Sequence, residues 1–465
     1  MKILLIHPPH HSGIFTGFNT ESLSLETIAA TVPDCDIRIL DMRFDKTSLE
    51  ENLEGFDPQV IGITGNTVDV YNIRRILKEI KQYNKGIITV VGGHHATMLP
   101  ADFNLPFIDA IVLGMGEATF KELIETIRTN RCISSIKGLA FPSSHGLSFS
   151  EERPLPDDLD VLPFPRRDLG NKYRKHYKFL GHHIGLITTA KGCPFRCRFC
   201  AIWNEMKGEY ITKGPEKILE ELYTIPEIFV RFADGNTFGS PPRMAILYGL
   251  IKNSGLKKRY MFDVRSDTVV EQSKLLEKWR EIGLEYVAIG LESIKDDQLR
   301  ALNKRTTVED NKKAIQILHD NDIKIIGQFM IDQDYDKREF ENLLEFVIKN
   351  RIHLTNYNIT TPYPGTPLFY EKKEELITNN YEYFDMFHSV LPTKLDRRVF
   401  FYHYADLFKK TYTFKRFISH KWNRLLDFLR IKKEKREDTP LLVLLVIKFM
   451  LLARLKHLRK AYIVH

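Results

Sequence analysis

Among the 465 residues are five cysteines, Cys35, Cys132, Cys193, Cys197 and Cys200, and the last three fall within eight residues. In Thr189-Ala-Lys-Gly-Cys193-Pro-Phe-Arg-Cys197-Arg-Phe-Cys200 the thiols form a C-x-x-x-C-x-x-C loop, a spacing that lets three soft ligands converge on one metal centre. Structural zinc takes four protein ligands, and no fourth Cys or His follows at zinc-finger spacing. An iron–sulfur cluster on three cysteines would instead leave one iron open to an external ligand. Lys191, Arg196 and Arg198 place positive charge beside these thiolates. Cysteines so few and so clustered argue against a disulfide framework and for metal or redox chemistry in a reducing compartment.

The elements that must position this loop are legible in the hydropathy pattern. The loop follows the first of six strand candidates, at 184–188, 228–232, 259–264, 286–290, 324–331 and 355–360. Helical stretches, for example at 215–223, 273–282 and 308–319, separate each pair, and six βα units predict an open, partial parallel barrel with its site at the strand C-terminal ends. Residues 1–140 alternate in the same way, with strands at 2–7, 36–40, 60–64, 87–91 and 110–113 and helices near 22–31, 69–83 and 117–130. That pattern predicts a Rossmann-like parallel sheet that binds ligand at its carboxyl edge. Four of those edges carry small residues: the turn at 8–13, Thr64-Gly65-Asn66, Gly92-Gly93-His94 and Gly114-Met115-Gly116-Glu117. Glycine lets backbone approach a ligand closely, and four such turns on one edge suggest a broad, flat ligand.

Between the two alternations, Pro142, Pro154, Pro156, Pro163 and Pro165 mark a connector. The expected organisation is a Rossmann-like unit at 1–140, a Pro-rich linker at 141–183, a barrel core at 184–370 and a helical, basic region at 371–465.

At 43% apolar and 28% charged residues, the chain can bury sizeable cores and is not a disordered protein. The net charge is +8, but residues 401–465 alone carry +11, which leaves −3 for residues 1–400. Basic character confined to the tail argues against a nucleic-acid surface. Residues 3–6 are the only apolar run before His7 and Pro8, too short for a signal peptide. A cytoplasmic protein is expected. In the tail, the thirteen residues 441–453 are apolar except Lys448 and lie between basic clusters. As a helix they would cover roughly 20 Å, short of a hydrocarbon core of about 30 Å. A short apolar helix between basic clusters suits the membrane interface, so peripheral contact with the inner face of the membrane through residues 410–465 is expected.

The cysteine loop, with Phe199 before its last thiol, resembles the signature of the radical S-adenosylmethionine (SAM) superfamily, and residues 1–140 resemble the cobalamin-binding domain fused to it in one large subgroup. Further matches are Val91-Gly-Gly-His94, Leu113-Gly-Met-Gly-Glu117, Leu162-Pro-Phe-Pro-Arg-Arg-Asp168, Gly290-Leu-Glu-Ser293 and Thr361-Pro-Tyr-Pro-Gly-Thr366. Within that subgroup the stretch 323–335 and the Thr361 motif most resemble the hopanoid-methylase branch. The resemblance implies a 4Fe–4S cluster on Cys193, Cys197 and Cys200, with SAM on the open iron. Phe199 would lie near the adenine, and Asp234-Gly235-Asn236 would hold the methionyl amine. Arg265 would face the SAM carboxylate, and Glu292 with Ser293 the ribose or amine. A zwitterionic ligand needs both a cation and an anion at the barrel mouth.

Ser12, Thr64, Gly65, Gly92, Gly93, His94, Gly114, Gly116 and Glu117 would line the cobalamin site. His10-His11-Ser12-Gly13 supplies the H-x-x-G of a D-x-H-x-x-G motif, but Pro8 stands where Asp would orient the histidine. The cobalt's lower ligand is left open. The implied activity is a radical methyltransferase acting on an unactivated carbon of a lipid-like or other small substrate, with flavodoxin or ferredoxin as electron donor. Ring formation without methyl transfer, or a non-catalytic sensor, would be the other uses of this architecture.

Overall fold

Val60-Ile61-Gly62-Ile63 is buried at every position, as a strand covered by helices on both faces must be. In this computed structural model, which describes residues 1–9, 18–352 and 354–412, that strand lies near the middle of a seven-stranded sheet. Across the sheet the strands run Asp36–Asp41, Lys2–His7, Val60–Thr64, Ile88–Gly92, Ala110–Val112, Leu139–Phe141 and Ser148–Phe149. The first five are parallel; the last two add antiparallel. The sheet thus runs on to Phe149, past residue 140, and part of the expected linker belongs to it. A helix at Leu49–Phe56, unanticipated from the pattern, starts on a capping box between Ser48 and Glu51.

The second sheet is the expected half-barrel. Six parallel strands, His182–Ile187, Phe229–Phe232, Arg259–Arg265, Leu284–Glu292, Lys324–Ile331 and Leu354–Ile359, stand in sequence order. Lys178–Phe179 and Phe18–Asn19 extend its first edge antiparallel. Phe18–Asn19 precedes all but one strand of the other sheet in the chain, so the two sheets are interleaved rather than strung in tandem.

Beyond 370 the description differs from a uniformly helical region. Residues 373–396 form short 3₁₀ turns and loops, followed by one helix at Arg397–Thr411. That helix buries Phe400, Phe401, Tyr404, Leu407 and Phe408 in the barrel core, and the Tyr404 hydroxyl donates to the Tyr357 carbonyl at 2.7 Å. The apolar run at 441–453 lies outside the described residues, as do residues 10–17 with Ser12. Among the described residues no helix is long and apolar enough to cross a membrane.

A buried arginine ties the two sheets together. Arg167, in the Leu162–Asp168 motif, reaches Glu21 ahead of the first helix at 2.6 Å and Glu221 on the barrel helix Pro215–Thr224 at 2.9 Å. It also donates to the Leu186 carbonyl at 2.8 Å, while Glu21 accepts from the Leu186 amide at 2.7 Å. Glu26 stands 3.9 Å away. All four side chains are at most 6% exposed. Burial pushes the Glu21 and Glu26 carboxyls up against the pull of Arg167, and for Glu26 the neighbouring Glu21 adds to the rise.

Candidate active site

The cysteine loop grows from a two-stranded stem. Ala190–Gly192 pairs antiparallel with Tyr210–Thr212. Gly192 takes φ +80°, and a Cβ there would stand 2.0 Å from the Glu209 carbonyl oxygen, so the stem closes only around a glycine. Asp234, at the end of the second barrel strand, anchors the loop's near side. One carboxylate oxygen accepts from the Thr189 and Ala190 amides at 2.7 and 2.9 Å, and the other from the Thr189 hydroxyl at 2.5 Å. Burial raises the Asp234 carboxyl despite these donors. Both oxygens are engaged with the loop, so the geometry gives Asp234 an anchoring role. Gly235 packs against the loop, where a Cβ would meet the Gly192 oxygen at 3.0 Å and Cys193 Cβ at 3.5 Å.

Cys193 and Cys197 are buried and Cys200 is half-buried. Burial pushes up the thiols of Cys193 and of Cys200, the latter to about 11, so metal entry must displace protons. Among the described residues no three His, Cys, Asp or Glu groups stand close enough to hold a single ion. A cluster spreads its three cysteine ligands over separate irons, so the three thiols need not converge on one ion.

Arg265, at the end of the third strand, lies over the Phe195 ring at 3.6 Å and reaches toward Cys197 Sγ at 3.6 Å. It also pairs with Asp267 at 2.7 Å. Glu292 ends the fourth strand beyond a register shift, in the left-handed region at φ +57°, a strained conformation for a non-glycine residue. Its carboxylate meets Lys304 Nζ at 2.7 Å, both side chains being at most 10% exposed. The bare Gly290 makes room for this pair. The Ser293 hydroxyl donates to Gln298 at 2.5 Å and accepts from the Lys295 amide at 3.1 Å, which shapes the turn. Phe199 is half-buried in the loop. Asn236 Oδ1, Thr237 Oγ1, Ser266 Oγ and Thr306 Oγ1 are buried with no hydrogen-bond partner among the described residues. Such orphans are rare in folded proteins, and these follow the second, third and fourth barrel strands, where a polar ligand would satisfy them.

The turns of the other sheet meet this loop directly. Lys191, two residues before Cys193, pairs with the buried Glu117 at 2.6 Å. Burial raises that carboxyl, but the Lys191 charge and hydrogen bond more than offset it and hold it below its ordinary value. Glu117 Oε2 has no partner among the described residues. On the far side of the loop, His94 Nδ1 lies 3.2 Å from Glu205, and Asn204 donates to the Gly365 carbonyl. His95 is instead a core histidine, bonded to Thr67 and Asp102 at 3.2 and 2.9 Å. The carboxyl edges of the two sheets therefore face each other across the cysteine loop.

The small-residue turns divide by what their missing Cβ would meet. Gly114, at φ +69°, faces open space, and at Gly92 a Cβ would make ordinary contact with Val112. At Gly65 it would strike Ile73 and Asp69 within 2.9 Å, and at Gly116 it would press on Ile28 and Val112 at 3.3 Å. Gly93, at φ +97°, would place it 2.5 Å from Thr64 Oγ1. Gly93 thus lets the turn at Thr64 close in. Gly93→Ala should lower stability by about 1–3 kcal/mol through strain at that φ and displacement of Thr64. Thermal melts of the cofactor-free chain check this, and an unchanged melting temperature would contradict the packing argument.

Sequence reasoning missed Phe195, Lys304, Glu205 and Trp203, whose indole donates to the Cys197 carbonyl at 2.9 Å. Phe195 and Trp203 lie within a few residues of the cysteines and were open to inspection; Lys304 carried no spacing signal.

Residues 187–347 match the family model of the Radical SAM superfamily, and residues 15–124 match that of the B12 binding domain. An uncharacterized methyltransferase of Pyrococcus horikoshii is 32% identical over 396 residues, covering 82% of this chain and 84% of its own length. The chain belongs to the radical SAM superfamily, in the group that carries a B12-binding domain. Hopanoid C-3 methylase of Methylococcus capsulatus is 28% identical over 420 residues, covering 88% of this chain and 79% of its own. The structure of the cobalamin-dependent SAM radical enzyme OxsB shares the fold, at 18% identity and a TM-score of 0.71, over 99% of this chain and 80% of that one. This radical SAM protein is an enzyme of the methyltransferase kind, and its two family domains carry a 4Fe–4S cluster with SAM, and cobalamin.

Proposed function

We propose that this radical SAM enzyme methylates an unactivated carbon of a lipid-like small molecule, drawing its electron from a flavodoxin or ferredoxin. The observation that carries the reading is the meeting of the two carboxyl edges at Lys191–Glu117 and His94–Glu205. When bound, the cluster and cobalamin supply one-electron SAM cleavage and the transferable methyl group. The chain's own residues do the rest. Cys193, Cys197 and Cys200 are the cluster ligands, and Arg265 offers a cation beside them for a carboxylate. Glu292 with Lys304, and the orphan hydroxyls after the strands, fit the polar parts of SAM. Gly114 leaves room for a flat macrocycle, and Glu117 Oε2 is an acceptor for an amide on its rim. Paired charges across the loop orient the two edges and keep water out of the space between them.

The lipid-like substrate rests on the likeness to hopanoid C-3 methylase and on the basic clusters that flank residues 441–453. Peripheral membrane contact through that region would bring the enzyme to such a substrate. The test is anaerobic incubation of reconstituted protein with SAM, reductant and cell lipid presented in anionic vesicles. A lipid species should gain the mass of one methylene, and the vesicles should pellet the full chain but not one ended after Tyr412. That end point keeps Tyr404, Leu407 and Phe408 in the barrel core. A ring-closed product without mass gain, or methylation confined to water-soluble extract, would contradict the proposal.

A further inference from the structure

We propose that the outer rim of the cysteine loop is the docking surface for an acidic one-electron carrier protein, built from Arg196, Arg300 and Arg305. This rests on the reading that the three cysteines hold a reducible cluster. The segment after the fourth strand runs alongside the loop. The Arg198 amide donates to the Leu302 carbonyl at 3.0 Å, and its guanidinium to the Ala301 carbonyl at 3.0 Å. Asn303 donates to the Arg196 carbonyl at 2.7 Å. These bonds hold the segment that carries Arg300, in the last turn of the helix Asp296–Ala301, and Arg305, whose Nε donates to Asn303 at 3.4 Å, against the backbone of Arg196.

All three arginines are exposed, and none forms an ion pair among the described residues. Other cations nearby are already matched: Arg198 pairs with Glu371, Lys207 with Glu152 and Lys304 with Glu292. The exposed acids of the same helix, Asp296 and Asp297, stand at its opposite end and accept from the amides of Val308 and Gln298. Arg196 lies over the Trp203 ring at 5.6 Å.

Three unpaired cations on one rim stand out on a body whose residues 1–400 carry −3. A local positive field of this kind steers an acidic partner into place. Arg196 precedes a cysteine directly, so a carrier seated on the rim makes its closest approach to the cluster ligands. The step moves one electron from the reduced carrier to the cluster and makes or breaks no bond. A nucleic acid or an anionic membrane would also meet arginines, but neither gains anything from a seat beside the cysteines.

The test compares reconstituted wild-type protein with R300Q/R305Q, which leaves the cysteine loop untouched, and with R196Q/R300Q/R305Q. Bleaching of the cluster by reduced acidic flavodoxin is followed by anaerobic stopped flow, and flavodoxin binding by titration, at low and high ionic strength. At low salt both variants should bind and be reduced about tenfold more slowly than wild type, the triple variant more so, and high salt should erase the difference. Reduction by dithionite should be equal in all three. Wild-type rates with flavodoxin in the variants, a wild-type rate indifferent to salt, or a parallel loss with dithionite would overturn the proposal. So would a defect confined to binding of anionic vesicles or oligonucleotides. Wild-type protein without iron or a bleachable absorbance would instead fail the cluster reading.

Discussion

Replacing Cys197 with alanine should strip the anaerobically reconstituted chain of its cluster, from about four irons and four sulfides per chain to near background. Cleavage of SAM should vanish with it. Cys197 is buried, its carbonyl holds Trp203, and its sulfur faces Arg265. Two remaining thiols cannot keep a cluster that already has one iron without a protein ligand. The control is Cys132→Ala, because Cys132 is exposed and its sulfur meets the Ser134 hydroxyl at 3.0 Å, away from the cysteine loop in sequence. Equal loss in both variants would point to general damage. Retention of full iron in Cys197→Ala would remove the cysteine loop from the cofactor's ligand set.

Arg167→Met should destabilise the chain by about 3–5 kcal/mol, because removing one partner of a buried charge network leaves the others uncompensated. Glu21, Glu26 and Glu221 would remain at most 2% exposed without their cation, although Lys213 stays on Glu221. The pH dependence has a definite sign. Burial already holds Glu21 and Glu26 above their ordinary values, and loss of Arg167 raises them further. A carboxyl with a raised folded-state value costs nothing below its unfolded value, destabilises progressively as pH rises from the unfolded value to the folded one, and costs a constant amount above both. The deficit of Arg167→Met should therefore be larger at pH 7 than at pH 5. Denaturant melts at the two pH values measure it, and a deficit that shrinks toward pH 7 would refute the charge argument.

Much of the fold was legible because its strands are short, branched and buried on both faces, so their apolar runs stand out from the amphipathic helices between them. The barrel strands were placed within a few residues, as at Lys324–Ile331. The helix at Leu49–Phe56 was missed although Ser48-x-x-Glu51 announces it, because only two of its eight residues are buried. The antiparallel strands at Leu139–Phe141 and Ser148–Phe149 are too short for periodicity to register.

The cysteine loop was legible because its chemistry is local in sequence. The contacts that tie the two edges together were not, since Glu117 and Lys191 stand 74 residues apart and His94 and Glu205 stand 111 apart. Gly93 and Asp234 show a subtler limit. Both are residue types that suit ligand contact, and in the folded chain Gly93 also admits Thr64 and Asp234 also holds Thr189 and Ala190. A residue type that suits a ligand suits a close approach of the chain to itself equally well, and only the folded geometry separates the two.

Methyl transfer that needs both cofactors on one chain is the central claim, and isotope tracing tests it most directly. Reconstituted protein, with and without cobalamin, is incubated anaerobically with SAM deuterated in its methyl group, reductant and cell lipid. With cobalamin present, a lipid product should carry the labelled methyl group and 5′-deoxyadenosine should accumulate. Without cobalamin, the label should be missing from the product. Label transferred equally by the cobalamin-free protein, or a methylated product without deuterium, would contradict the account.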